Sequence, residues 1–223
     1  AFKISPNGSD RQEIKFKDFA NKKYLDDVLT DIKFSNVAWN DDKGVFYKKN
    51  SNKEFFAKDS TYQLYYHKIG DIQSKDQLVF DTSNTKSNFS FFTKQNKLFV
   101  VETSEDETTK NYYYSTIENE SFQFKNFIKD DKSNLELLNI INDKFYFSDE
   151  KYSWGNISYF DINNRTENTI LIPQVYSHLL VGATFLENYI ICKYDNMGKY
   201  YMSIHDYTGK FIRKFEAPHN MDF

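Results

Sequence analysis

The chain contains a single cysteine in 223 residues, which excludes a disulfide within it. That residue, Cys192, stands in the apolar run 189–192 and is predicted to be a small buried side chain. The lack of disulfides fits a reducing compartment, so we expect a cytoplasmic location. No stretch approaches the ~20 consecutive apolar residues of a membrane-spanning helix, so we expect no membrane partner.

An excess of positive or negative charge is missing as well. The chain carries 29 Lys and Arg against 32 Asp and Glu, a formal net charge of -3, and the two signs are interleaved. Because no basic stripe is present to attract phosphate groups, nucleic acid is not an expected partner. The chain begins at Ala1 with neither a charged leader nor an apolar signal core, so we expect a processed protein or a portion of a longer one.

Glycine is rare, and its placement excludes one kind of active site. None of the 7 glycines belongs to a Gly-x-Ser-x-Gly turn, the sharp elbow that exposes a nucleophilic serine in α/β-hydrolases. The turn at Gly8-Ser9-Asp10 lacks the second glycine and is typical of a hairpin. We therefore predict that this chain holds no catalytic residue.

Metal-binding patterns are also missing. The four histidines are dispersed, without Cys or paired carboxylates at ligand spacing, and are predicted at surface or edge-strand positions: His67, His178, His205 and His219. His205 and Asp206 are adjacent, so on a strand they would point to opposite faces rather than act as a pair. The acidic run 102–107 lacks the pattern of a calcium loop and is interpreted as a solvated loop. We predict no metal and no cofactor.

Aromatic residues, by contrast, are abundant. The 22 Phe and 17 Tyr are enough to build the core of a single globular domain. Apolar and polar residues alternate over short runs such as 14–17, 122–127 and 200–204, which is the period of β-strands. Turn-forming pairs between these runs, such as Asn142-Asp143, predict hairpins. Only residues 21–29 have a helix-like spacing, and a loop explains them equally well.

A four-strand pattern recurs four times at an interval typical of propeller blades, ~40 to 50 residues. The outermost strands of these repeats are predicted at 77–80, 121–124, 169–172 and 210–215. The predicted fold class is all-β, a β-propeller of four-stranded antiparallel blades forming a partial arc of about four blades plus part of a fifth. We divide the chain into a partial blade at 1–30 and blades at 31–86, 87–133, 134–177 and 178–223.

Several stretches resemble the prolyl oligopeptidase family. Residues 32–47 (IKFSNVAWNDDKGVFY) are similar to that family's "KFS, AW, D and G before FY" stretch, and residues 64–80 (LYYHKIGDIQSKDQLVF) to its "LYYH, G, QS, D, LVF" element. Residues 5–10 (SPNGSD) and 205–209 (HDYTG) resemble two of its turns. The likeness is tight over residues 1–80 and looser from 81 to 200.

The resemblance implies a seven-bladed propeller that covers an α/β-hydrolase catalytic domain of the same parent chain. Its expected role is to admit short proline-containing peptides and to exclude folded proteins, while the catalytic domain of this serine peptidase hydrolyses the bond after proline. One contact is carried over by the resemblance: Phe34 is expected to bind substrate beside the proline site. The family's further Met and Cys contacts are not present, and the nearest positions are about Ser87 and Glu107.

Three alternatives stay open. Without the resemblance, Phe34 would be one more strand aromatic packed in the core, and the chain could be a stand-alone propeller that binds a protein or peptide. A related oligopeptidase that cuts after basic residues is also compatible, because specificity is set mainly in the catalytic domain.

Overall fold

The computed structural model describes residues 1–8, 11–33, 35–50, 62–85, 87–133, 135–165 and 167–216. These residues form β-strands and two short 3-10 helices, Pro6–Gly8 and Gln73–Lys75, with no α-helix among them. In the same ranges no helix is long and apolar enough to cross a membrane. The chain divides into two compact units, Ala1–Asp130 and Asp131–Phe223.

The first unit opens with a three-stranded antiparallel sheet in the order β1-β2-β3. Its strands are β1 (Phe2–Ile4), β2 (Gln12–Asp18) and β3 (Lys23–Ile32). The helix-or-loop interpretation of residues 21–29 is therefore wrong. Leu25 and Leu29 are four residues apart, a spacing that suits a helix face and one face of a strand equally, and pairing with β2 decides in favour of the strand.

Two four-stranded antiparallel sheets complete the first unit, each with its strands paired in chain order. The second sheet contains β4 (Val37–Asn40), β5 (Gly44–Asn50), β6 (Tyr62–Lys68) and β7 (Gln77–Asp81). The third contains β8 (Asn88–Lys94), β9 (Lys97–Thr103), β10 (Lys110–Thr116) and β11 (Lys125–Asp131).

The outer strand of the third sheet lies later in the chain than predicted. Residues 121–124 are not a strand, and β11 begins at Lys125. The alternating aromatics Phe122 and Phe124 instead point into the core, where Phe122 contacts Phe46 and Phe124 contacts Phe80 with ring centroids 5.4 and 5.2 Å apart. At this position the alternation of aromatic and polar residues reflects the packing of the rings into the core, although the segment does not pair with a neighbouring strand.

The second unit contains two further four-stranded antiparallel sheets with the same order of strands. The fourth sheet contains β12 (Glu136–Ile141), β13 (Lys144–Ser148), β14 (Ile157–Asp161) and β15 (Thr169–Ile172). The fifth contains β16 (Leu179–Phe185), β17 (Ile190–Asn196), β18 (Lys199–His205) and β19 (Phe211–Glu216).

Tight hairpins connect the first pair of strands in the third and fourth sheets and the middle pair in the fifth. Each has two central residues with positive φ, at 95–96, 142–143 and 197–198. This is the geometry of a type I′ turn, which matches the right-handed twist of the strands that it joins. Asn, Asp and Gly tolerate positive φ better than most residues, so the prediction of a hairpin at 142–143 is confirmed.

Aromatic and aliphatic side chains fill the space between neighbouring sheets in each unit. Phe46, Leu64 and Leu98 are fully buried between the second and third sheets. Ile157, Ile190 and Cys192 are fully buried in the second unit, which confirms the predicted burial of the cysteine. Burial raises the pKa of the Cys192 thiol to about 12. Together with the strand order, these cores confirm the predicted all-β blade architecture.

Candidate functional site

The connection between β3 and β4 carries Phe34, the residue predicted to bind substrate. Phe34 itself lies outside the described residues. Its neighbour Ser35 is buried and held on two sides: the Lys48 backbone N–H donates to Ser35 Oγ at 2.7 Å, and Lys3 Nζ donates to the Ser35 carbonyl at 2.9 Å. Asn36 Nδ2 donates to the Phe91 carbonyl on β8 at 2.9 Å. The chain that follows Phe34 is therefore fixed to all three sheets of the first unit.

A buried lysine lies next to this connection. The Lys48 ammonium is 4.2 Å from the centre of the Tyr62 ring and 5.5 Å from that of Phe89, and it donates to Asn88 Oδ1 at 3.2 Å and to the Phe89 carbonyl at 3.3 Å. Burial disfavours the charged ammonium and lowers the pKa of Lys48 to about 8. Sequence reasoning missed this residue, because Lys48-Lys49-Asn50 at the end of a strand resembles a solvated segment.

The two positions that stand near the family's Met and Cys contacts are polar and lie in different surroundings. Ser87 is buried and donates to Glu102 Oε1, whereas Glu107 is exposed in the turn between β9 and β10, with a positive φ of 59°. Neither of these two positions therefore offers an apolar side chain of the kind that a Met or a Cys would provide.

Glu102 contradicts the interpretation of residues 102–107 as a solvated loop. It lies in β9, is buried, and accepts hydrogen bonds from Thr85 Oγ1 at 3.1 Å and Tyr113 Oη at 2.9 Å as well as from Ser87. Burial, and then the hydrogen bond to Glu102 and its negative charge, raise the pKa of Tyr113 to about 12. Hydroxyl groups thus replace water around this carboxylate, as a buried charge requires.

His67 also contradicts its prediction, because it is buried rather than placed at the surface or on an edge strand. It lies in β6, between β5 and β7, with only 1% of its surface exposed. Its Nδ1 is 2.7 Å from Asp76 Oδ1, and its Nε2 is 3.1 Å from Asp27 Oδ1 on β3. The Asp76 carboxylate also accepts a hydrogen bond from Tyr47 Oη at 2.8 Å. We refer to Asp27, His67 and Asp76 as the His67 clasp.

The electrostatics of the His67 clasp favour a charged imidazolium. Burial alone would lower the pKa of His67, but the hydrogen bonds and negative charges of Asp76 and Asp27 outweigh it and raise the pKa above its usual value. Within the described part of the chain, no group of three or more His, Cys, Asp or Glu side chains is arranged to hold a metal ion.

The fifth sheet contains a serine–histidine pair that differs from a catalytic one. Ser203 Oγ and His205 Nε2 are 2.9 Å apart, and both residues are buried. His205 Nδ1 faces the Gly209 carbonyl at 3.3 Å, where a catalytic histidine would face a carboxylate. Asp206 instead accepts hydrogen bonds from Thr208 in its own turn. Asp206 thus stabilises the turn after His205 and does not pair with the histidine, as the adjacency of residues 205 and 206 predicted.

The remaining histidines do not join any of these groups in the described residues. His178 Nδ1 is 2.7 Å from Tyr201 Oη in the second unit. His219 lies outside the described ranges.

Comparison with known proteins identifies relatives over nearly the whole chain. The family described as "Prolyl oligopeptidase, N-terminal beta-propeller domain" matches residues 1–222. A prolyl endopeptidase from Elizabethkingia meningoseptica is 26% identical over 98% of this chain and 32% of its own length. The chain thus spans about a third of that relative.

Solved structures show the same fold at lower identity. A structure from work on two prolyl endopeptidases and their inter-domain dynamics has a TM-score of 0.80 at 19% identity, covering 97% of this chain and 32% of its own. Prolyl oligopeptidase B from Galerina marginata, without ligand, has a TM-score of 0.78 at 15% identity, covering 96% of this chain and 33% of its own.

Proposed function

Because the chain belongs to the family of prolyl oligopeptidase N-terminal β-propeller domains, we propose that it is the non-catalytic, substrate-gating portion of a serine-type endopeptidase that hydrolyses short peptides after proline. The observation that carries this proposal is the family match over residues 1–222, in a chain that spans 32% of a prolyl endopeptidase. We propose that an α/β-hydrolase domain of the same parent chain supplies the catalytic residues, and that the protein works in the cytoplasm.

The chemistry of the described residues supports the proposal that catalysis belongs to another domain and that this portion limits access to it. Their serine–histidine pair at Ser203 and His205 is buried and has a backbone carbonyl in place of the acid. A propeller that covers an active site contributes by limiting access, since an enclosed site keeps water and large chains from the reacting centre. Short flexible peptides would enter, and folded proteins would not. In this proposal the five sheets are successive blades, bounded at residues 31, 87, 134 and 178.

Phe34 is the proposed substrate contact of this portion. Its support is the family resemblance together with the fixed backbone at Ser35, which is held by Lys3 and by the Lys48 amide. An aromatic ring offers a large contact area at small entropic cost. The polar character of Ser87 and Glu107 implies a smaller apolar wall around the proline ring than a Met and a Cys would provide.

A Phe34→Ala change in the full-length enzyme tests this role. We expect KM for a proline-containing peptide to rise by about tenfold, with a smaller effect on kcat, since an aromatic contact contributes about 0.5–1.5 kcal/mol beyond the area it buries and ~1.4 kcal/mol is a factor of ten in binding. Phe19→Ala is the matched control, because Phe19 is 85% exposed in the turn between β2 and β3. Unchanged kinetics for Phe34→Ala would remove Phe34 from the substrate site.

The absence of catalysis from this portion has a separate test. The 223-residue chain is incubated alone with a proline-containing peptide, with and without a serine-directed inhibitor. We expect no cleavage. Cleavage that the inhibitor abolishes would refute the proposal that this portion lacks catalytic residues. A parent gene that encodes no Gly-x-Ser-x-Gly elbow would instead favour a stand-alone interaction propeller.

A further inference from the structure

A buried histidine joins the first and second sheets, and the proposed peptide-binding role makes no use of it. We propose that His67 acts as a protonation-dependent clasp that holds the first sheet against the second, so that contact between these two sheets weakens when the imidazolium loses its proton. The inference concerns the internal mechanics of the first unit and stands apart from the proposed peptidase function.

The geometry of the ring requires two donors. Both nitrogens of His67 face carboxylate oxygens, Nδ1 at 2.7 Å from Asp76 and Nε2 at 3.1 Å from Asp27. A neutral imidazole carries one N–H, so one of the two carboxylates would then face a nitrogen lone pair. Only the imidazolium can donate to both. The side chain of His67 is 1% exposed, that of Asp27 is 7% exposed and that of Asp76 is 2% exposed. Water therefore cannot readily replace a hydrogen bond that breaks between them.

Both carboxylates are held in place independently of the histidine. The Gly70 backbone N–H donates to Asp27 Oδ1 at 2.5 Å, and Tyr47 Oη donates to Asp76 Oδ2 at 2.8 Å. Neither carboxylate is therefore free to turn away when the ring loses its proton. Deprotonation would leave two buried negative charges with no cation between them, an arrangement whose cost is high in a poorly solvated site.

The groups that face the ring come from every element packed around it. They are Asp27 from β3, Asp76 from the segment before β7, Tyr47 from β5 through its bond to Asp76, and the Phe16 ring from β2. Tyr65, on the histidine's own strand, stacks on Tyr47. Phe16 stacks on His67 with ring centroids 5.9 Å apart and excludes water on that side. The two aspartates are the carboxylates among these groups, so the local charge favours the protonated ring.

A neutral contact joins the same two sheets and provides a comparison. Gln73 Oε1 accepts from the Thr30 backbone N–H at 3.0 Å and from Thr30 Oγ1 at 3.1 Å, while Gln73 Nε2 donates to the Thr30 carbonyl at 3.0 Å. An amide side chain does not titrate between about pH 5 and 9, so this contact holds the sheets together equally at all these values.

The direction of the pH effect follows from the raised pKa of His67. Below the unfolded-state pKa, ~6.5, the histidine is charged in both states and the clasp is complete. As pH rises through the higher pKa of the folded state, the proton leaves and the stabilisation disappears. The first sheet should then separate from the second more often at alkaline pH, in a local opening that leaves the rest of the fold intact.

Site-resolved hydrogen exchange of the full-length protein tests this inference. The reporters are the Gly70 and Thr30 amides, each of which donates across the boundary between the two sheets. After correction for the intrinsic pH dependence of exchange, we expect their protection to fall between pH 6 and pH 9, by about tenfold for each pKa unit by which folding raises the pKa of His67.

Three variants separate charge from simple contact. His67→Gln should give low protection that no longer depends on pH, and Gln73→Ala should lower protection at every pH without moving the midpoint. Asp27→Asn retains an oxygen for the Gly70 amide but removes one charge, so its midpoint should move to lower pH; this variant serves if His67→Gln does not fold. His178→Gln, in the second unit, should leave both reporters unchanged.

Four results would each overturn the proposal. Three are a flat wild-type profile, a pH dependence that survives His67→Gln, and a midpoint that Asp27→Asn does not move. The fourth is loss of the pH dependence in His178→Gln, which would assign the effect to another group.

Discussion

Phe46 is the residue whose loss should affect the first unit most strongly. Its side chain is fully buried between the second and third sheets, with ring centroids 5.0 Å from Tyr66 and 5.4 Å from Phe122. Phe122 reaches it from the segment before β11, which makes no ladder at that point, so the packing of the rings attaches this segment to the core together with the hydrogen bond from the Gln123 N–H to Ser115 Oγ at 2.9 Å. Phe46→Ala removes the ring at the centre of this packing.

The expected magnitude follows from burial and packing. Replacing a buried Phe by Ala costs ~3–5 kcal/mol through the transfer energy of the missing ring and the cavity that remains. Against a total stability of ~5–15 kcal/mol, this is a large share. With a urea m-value near ~3 kcal/mol/M, the midpoint of unfolding should fall by ~1–1.7 M. Phe46→Leu keeps part of the packing and should lie between the Ala variant and the parent.

Fluorescence can report on the first unit alone. The chain has two tryptophans, Trp39 in β4 and Trp154 in the second unit, so a Trp154→Phe background leaves Trp39 as the probe of the 223-residue chain. Trp39 packs edge-on against Phe16 with ring centroids 5.8 Å apart, and unfolding would separate the two rings. Phe19→Ala is the control and should change stability by less than ~0.5 kcal/mol. A destabilisation below ~1 kcal/mol for Phe46→Ala would refute the packed aromatic core described above.

Two further predictions concern groups whose pKa is shifted by burial. The Cys192 thiol, with a pKa of about 12, should resist iodoacetamide at about pH 8 in the folded chain and react once urea unfolds it; fast labelling of the native chain, measured by mass spectrometry, would contradict its burial. For Lys48, the folded-state pKa of about 8 lies below the unfolded-state pKa of ~10.4. Between these two pH values the unfolded chain binds more protons at Lys48 than the folded chain, so the free energy of unfolding should rise with pH. The measurement is the urea midpoint of parent and Lys48→Met chains across this pH range, and the variant should lack the rise that Lys48 causes in the parent. If the variant's midpoint rises with pH as much as the parent's, the rise belongs to another group.

Strand content and hairpins were predictable because they depend on near neighbours. The runs of alternating aromatic residues indicated strands, and the Asn-Asp pair at 142–143 indicated a tight hairpin, since both features act over a few residues. The same local reasoning failed where one spacing of apolar residues is compatible with two different structures. Leu25 and Leu29 suit helix and strand alike, and Phe122 and Phe124 have the period of a strand without belonging to one.

The candidate site could be predicted only in part. The resemblance pointed to Phe34 through the residues around it, but nothing local to Lys48 or Glu102 indicated that their charges are buried. Both residues become internal because a neighbouring element covers them: Phe89 on β8 lies over Lys48, and the connection at Ser87 lies over Glu102.

The class of structure, a series of antiparallel aromatic strands joined by short turns, followed from the amino-acid order alone, because strand period and turn chemistry are properties of adjacent residues. The partners of the buried polar groups were set instead by how the sheets pack. Asp27 stands 40 residues from His67 along the chain and meets its Nε2 because the first sheet packs against the second, whereas Asp76, 9 residues away, meets Nδ1 from the connection that precedes β7 in the histidine's own sheet. Once that packing excludes water, each buried charge must be matched by a protein group, and the match depends on distance in space rather than on order in the sequence.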